Sequence, residues 1–290
     1  MIKLGSKEVT KVMKGSQEIS TVYKGSTEVW SAAKPIITLQ LIGGGGGSWD
    51  SRANGAATGA AGGGGFREEV VEVERGKLYR IVVGAGGAKQ TLGGTTSFRN
   101  NGIDLTVGGG GSYGQNMQGL EFGSGAGGTG WLNGGSAGAY GGIYGKDGGS
   151  GGGNSATGAA GAGGGASEKP AAADGAVTKR GGSGVACLDG IRRCGGGGGS
   201  NAYGGENGSD GGGRGAPPGS VSGTGSSNTG GGGGGTCPSG VWGCTGSPGG
   251  SGFVCLATLL KATQFDGYQE TKMGDGRWLY TFRATGSITF

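Results

Sequence analysis

Apolar and polar residues alternate with a period of two near both ends of this chain and lose every periodicity between. Ile36-Ile37-Thr38-Leu39-Gln40-Leu41-Ile42 reads as a buried strand, and Phe66 to Glu74 and Lys77 to Val83 read as a hairpin turning at Arg75-Gly76. Thr95 to Phe98 and Ile103 to Val107 form a second strand pair about Asn100-Asn101-Gly102. The segment Ser251 to Leu260 adds another strand. In Trp278 to Phe290 the residues Tyr280, Phe282, Ala284, Gly286 and Ile288 fall on one face, opposite Thr281, Arg283, Thr285, Ser287 and Thr289. A half-apolar strand at a chain end is costly to leave exposed, so it is expected to insert near Ile36–Ile42, in its own chain or in a neighbour. No window carries a helical apolar period. The expected class is all-β, with a β-sandwich built from residues 35–107 and closed by residues 253–290.

Residues 1–34 carry a shorter rhythm. Gly5-Ser6, Gly15-Ser16 and Gly25-Ser26 recur every ten residues, each followed by a Glu and a β-branched residue in the same register. Gly-Ser marks a tight turn, so each unit reads as two short strands with too little apolar surface to fold alone. The segment is therefore expected to dock, on a second copy of itself or on another protein, through Val9, Val12, Ile19, Val22, Val29 and Trp30. A local meander packed on its own domain is the plainer alternative.

Composition changes the picture between residues 108 and 252. Of 290 residues 84 are glycine and 6 proline, and only 32% are hydrophobic, so one conventional core through the whole chain is excluded. Glycine loses much backbone entropy on ordering, which suits a flexible linker. Against that, a linker has no use for Trp131, Leu132, Tyr140, Ile143, Tyr144, Tyr203, Val241 and Trp242. The tract is expected to stack as extended helices of the polyproline II type. Such helices lack internal hydrogen bonds and, in glycine, can approach closely enough to bond one another.

Net charge is +5, which permits an anionic partner, but no clustered basic stripe points to nucleic acid. The first residues hold no apolar signal segment, so synthesis and assembly in a cytoplasm are expected. The chain has no histidine, which removes Ser–His and Cys–His nucleophile systems and the commonest metal ligand. Glu68, Glu69, Glu72 and Glu74 on an exposed strand beside Arg67 and Arg75 read as solvated charges rather than catalytic carboxylates. No enzyme activity, cofactor or metal is expected.

The cysteines are more informative. Cys187–Cys194 and Cys237–Cys244 share a C-x6-C spacing with glycine at the same internal position, and Asp189-Gly190 and Pro238-Ser239-Gly240 are turn formers. Each loop can close on itself as a disulfide. Zinc is the rival, although structural zinc sites prefer two to four residues between paired ligands. Cys255, odd in number and inside a strand, reads as a buried thiol.

The order "LIGGGGG", a strand pair, "VVGAGG", "GGTTSF" and "LTVGGGG" resembles the glycine-rich domain of bacteriophage tail-fibre and minor tail proteins. The repeats ending in "STEVW" resemble the amino-terminal attachment segments of such proteins. Beyond Gly108 the tract resembles the polyglycine-helix adhesins at the tips of some tail fibres and, more distantly, the glycine-rich domain of certain animal receptor tyrosine kinases. Trp278 to Phe290 resembles the strand that normally opens the domain, so the order looks permuted. The resemblance implies a virion protein, homo-oligomeric with a trimer favoured, that joins other tail or baseplate proteins through residues 1–34. It implies contact with a host receptor (outer-membrane protein, lipopolysaccharide or wall polymer) at the bundle tip. Leu188, Ile191, Arg192, Arg193, Val241 and Trp242 on the cysteine loops are the expected contacts. An architectural head or tail component without a receptor is the alternative.

Overall fold

The computed structural model describes residues 3–4, 7–8, 12–14, 17–19, 21–24, 27–31, 34–51, 56–100, 102–112, 121–130, 136–152, 158–174, 177–238 and 243–290. Each ten-residue repeat is a separate two-stranded hairpin. These are β1 (Lys3–Leu4) with β2 (Lys7–Glu8), β3 (Val12–Lys14) with β4 (Gln17–Ile19), and β5 (Thr21–Lys24) with β6 (Thr27–Ser31). The closing pairs Leu4↔Lys7, Lys14↔Gln17 and Lys24↔Thr27 flank the Gly-Ser dipeptides in sequence. Among the described residues no ladder joins the hairpins to one another or to the rest of the chain, so they do not form one meander.

The remaining long strands build a near-closed antiparallel sheet. They are β7 (Ile36–Ile42), β8 (Phe66–Glu72), β9 (Leu78–Val82), β10 (Thr96–Asn100) and β11 (Ile103–Val107). The small hairpin of β12 (Val185–Ala186) and β13 (Arg192–Arg193) lies outside the sheet. After it come β14 (Phe253–Thr258), β15 (Gln264–Lys272) and β16 (Trp278–Thr289). The order is β11-β10-β9-β16-β14-β7-β8, with β15 on the other edge of β16.

β16 is the element that makes two layers one sheet. Its first half, Trp278 to Phe282, pairs with β14, and its second half, Gly286 to Thr289, pairs with β9. The bend between the halves is taken up opposite Gly267, whose φ of 79° is open to glycine and strained for other residues. The terminal strand is thus inserted in its own chain, with β14 between it and β7. Alternation then sorts the side chains. Ile37, Leu39 and Leu41 face inward with Val254, Leu256, Tyr280 and Phe282 from one side, and Tyr79, Ile81, Phe98 and Ile288 from the other. Tyr79 stacks on Phe98 at 5.1 Å between ring centroids, and Tyr280 meets Tyr268 edge-on at 5.2 Å. The two sheet edges approach where Arg67 Nη1 donates to the Thr106 carbonyl at 3.2 Å.

The glycine segments continue the strands away from this sandwich and bond with a period of three. Gly43 and Gly46 donate to Gly65 and Gly62, Gly44 and Gly47 to Gly94 and Thr91, and Gly45 and Ser48 to Gly250 and Ser247. The same segment accepts from Gly110, Gly87 and Gly233, so three neighbours take its N–H groups and others bond its carbonyls. Segment 60–65 repeats the scheme, donating in turn to Gly161, Gly233, Gly111, Gly164, Gly230 and Gly108. This is the three-residue geometry of polyproline II helices packed side by side, in which backbone bonds between helices replace an apolar core.

Candidate functional site

The direction of each segment decides which loops share the far end of the bundle. Residues 43–48 run outward from β7, and Ser48, Ser51 and Thr58 then bond Ser247, Cys244 and Thr236. There glycine gives way to buried hydroxyls. Ser48, Thr58, Ser112, Ser222, Thr236 and Ser247 are all at most 4% exposed, and their side chains bond backbone or one another, closing the lattice without exposing unpaired polar groups. A short strap, Trp49-Asp50-Ser51, crosses this end. Trp49 Nε1 donates to Ser112 Oγ at 2.8 Å, and Asp50 accepts from Gly246 N–H and pairs with Lys89, both at 2.9 Å. Burial is the largest influence on Asp50 and raises its carboxyl. The Lys89 ammonium and the Gly246 N–H together outweigh it and hold the group below the usual carboxylate value.

Ser51 fastens the neighbouring loop. Its N–H and hydroxyl both donate to the Cys244 carbonyl at 3.0 Å, and the Cys244 N–H donates back to its Oγ at 3.0 Å. Cys237 and Cys244 are joined by a disulfide with their Cα atoms 5.7 Å apart. The stem of this loop is therefore held covalently and by hydrogen bonds, while Val241 and Trp242 at its centre lie outside the described residues. The same end carries the turns Asn201 to Gly204 and Pro217 to Ser220. Tyr203 is 77% exposed there and Val221 62%, and Asn201 Oδ1 fixes the first turn by accepting from the N–H groups of Tyr203 and Gly204 at 2.8 Å.

The second cysteine loop is at the opposite end, which corrects two expectations. Cys187 and Cys194 are free thiols, not a disulfide. The hairpin register gives the reason: Val185 pairs with Arg193 and Ala186 with Arg192, so Cys187 lies opposite Ile191 and Cys194 is offset along the ladder. Both thiols instead pack with Cys255, Ile42, Phe253 and Leu279 against the outer face of the sandwich. Burial pushes all three thiols up, which keeps them protonated and unreactive. Among the described residues no cluster of Cys, Asp or Glu is arranged to hold a metal ion.

Arg193, expected to touch a receptor, is 3% exposed. Its guanidinium takes Asp189 in a two-pronged pair at 2.6 and 2.7 Å and stacks 3.8 Å above the Phe253 ring. Leu188 is half-buried and its N–H donates to Gln40 Oε1 at 2.8 Å. Ile191 and Arg192 are exposed, but Arg192 pairs with Asp210 at the base. The loop is a clamp between sandwich and bundle rather than part of the tip.

Among the residues expected to attach the chain, Val12, Ile19 and Val22 are half-buried within their own hairpins. Val29 and Trp30 lie in β6 by backbone, and Val9 is outside the described residues. The tip residues that the pattern did not single out, Asp50, Ser51, Lys89 and Val221, each lie near a glycine-rich run in the sequence, and it is the direction of that run in the structure that puts them at the tip.

No curated protein matches the chain. The profile of a family described as a glycine-rich domain matches residues 21–258, which spans the third hairpin, the sandwich strands through β14 and the whole bundle. It stops short of β16, although that strand sits at the centre of the sheet. The chain therefore belongs to the glycine-rich domain family.

Proposed function

We propose that this chain is the receptor-binding component of a bacteriophage tail fibre or tail tip, with the far end of the glycine bundle as its contact surface. The observation that carries the reading is the disulfide-closed loop Cys237–Cys244, fastened by Ser51, with exposed Val221 bridged to Thr245 at its stem and exposed Tyr203 on a turn at the same end. Recognition residues are commonly mounted on loops held by a rigid scaffold, and aromatic side chains dominate contact energies. The net charge of +5 favours an anionic surface such as a lipopolysaccharide core or wall polymer. The hairpins of residues 3–31, too small to stand alone, suit attachment to other tail proteins in a homo-oligomeric, trimeric fibre. No catalysis is assigned to it.

Purified protein should compete with the parent phage for adsorption to host cells. Trp242→Ala and Tyr203→Ala should each weaken that competition, by about 30-fold if the side chain is worth ~2 kcal/mol, with the melting profile unchanged. Full competition by both variants would favour the architectural reading, a fibre or decoration component without a receptor.

A further inference from the structure

At the end of the sandwich remote from the bundle, an open cleft of about 770 Å³ is lined by Glu72 at the end of β8 and Glu74 after it, by Lys77 just before β9, and by Arg80 and Arg99 on β9 and β10, with Lys34 also in its lining. Its charges do not neutralise one another. Elsewhere Arg67 takes Glu69, Lys89 takes Asp50 and Arg277 takes Asp275, while Lys146, Lys179, Arg214, Lys272 and Arg283 take no carboxylate among the described residues but stand singly rather than around one cleft. Arg99 also has a carboxylate partner, Asp104 at 2.6 Å. Lys34, Lys77 and Arg80 form no ion pair among the described residues, and neither do Glu72 and Glu74, although all five line one space.

The register sharpens this. Arg80 lies directly across from Arg99, a like-charge cross-strand pair that costs stability unless an anion sits between or above the two. Asp104 engages Arg99 but not Arg80. Arg80 and Arg99 thus sit on adjacent strands with their spacing held by the ladder, and Lys77 lies in the turn just before β9. Glu72 ends β8 and Glu74 follows it, in a segment pinned by the Glu74 N–H donating to Tyr79 Oη at 2.7 Å.

We propose that this cleft binds a small zwitterion that carries both a phosphate and an amine, for which phosphoethanolamine is the probe. The phosphate would take Arg80 and Lys77, where a guanidinium offers two parallel donors, and the ammonium would take Glu72 and Glu74. A simple anion satisfies only the cations and is repelled by the carboxylates. Such a group reaches a protein free, on a saccharide, or as a lipid headgroup.

Calorimetric titration of the full chain with phosphoethanolamine at low salt should show saturable binding at least tenfold tighter than that of inorganic phosphate. Lys77→Ala/Arg80→Ala should weaken both ligands tenfold or more. Glu72→Gln/Glu74→Gln should weaken phosphoethanolamine to the level of phosphate while leaving phosphate binding equal or tighter. All these side chains lie at the protein surface, so an unchanged melting curve shows that the fold is intact. Binding to phosphatidylethanolamine vesicles but not to pure phosphatidylcholine vesicles would identify a lipid headgroup, and binding of the free compound alone a soluble or saccharide-borne one. Absence of saturable binding, or equal affinity for phosphate and phosphoethanolamine in the unaltered protein, overturns the proposal.

Discussion

Deleting residues 273–290 is expected to leave a protein that aggregates and gives no cooperative melting transition. The deletion removes β16, and with it Leu279, Tyr280, Phe282, Ile288 and Phe290, none more than 7% exposed. At roughly 1.5–3 kcal/mol for each large buried side chain, the loss is of order 10 kcal/mol, comparable to the whole stability of a domain, commonly ~5–15 kcal/mol. It also leaves β9, β14 and β15 with open edges, and unpaired edges invite association. Size-exclusion chromatography and near-ultraviolet dichroism read the result. A soluble truncated chain with the original melting temperature would show that β16 is dispensable.

The second large effect is expected from one methyl group. A Cβ at Gly45 would come within 3.0 Å of the Gly231 and Gly230 carbonyl oxygens, and those are backbone atoms bonded into the lattice. Gly45→Ala must push two helices apart, at about 3 kcal/mol or more, toward the upper end of overpacking costs. Gly204, at the tip, has nothing within 4 Å of the same position and no positive φ, so Gly204→Ala is expected to be neutral or to stabilise by ~0.5 kcal/mol. Urea denaturation of the pair gives the comparison. Equal midpoints for the two variants would mean that the bundle tolerates side chains and is not close-packed.

The strands were legible because alternation reports burial on one face: Ile36–Ile42 and Trp278–Thr289 form strands where the pattern puts them, and Tyr280, Phe282 and Ile288 turn inward as read, whereas Ala284 is exposed where β16 bends. β15 escaped the pattern because Asp266-Gly267 interrupts it, which in the sheet is the bulge that lets β16 bend. The glycine tract was legible as a lattice from its composition and its scattered aromatics. Its internal geography was not, because nothing local records whether a segment runs outward or returns. Two cysteine loops of identical spacing therefore met opposite fates. Cys237–Cys244 caps an outgoing segment and closes, while Cys187 and Cys194 fall at the base, where hairpin register separates them and the sandwich buries them. Arg193 misled for a related reason. Paired arginines read as exposed, and only Asp189 beside it and Phe253 beneath it, the latter 60 residues on, make a buried guanidinium stable.

The account rests on the glycine tract being a folded scaffold rather than a tether, and amide hydrogen exchange tests that most directly. In a bonded lattice the N–H groups of Gly43–Gly47, Gly62–Gly65, Gly195–Gly199 and Gly232–Gly235, each with a carbonyl partner, should exchange about a thousandfold or more slowly than in an unfolded chain, alongside the core strands. Exchange of these glycines at unfolded-chain rates, while β7 and β14 stay protected, would contradict it.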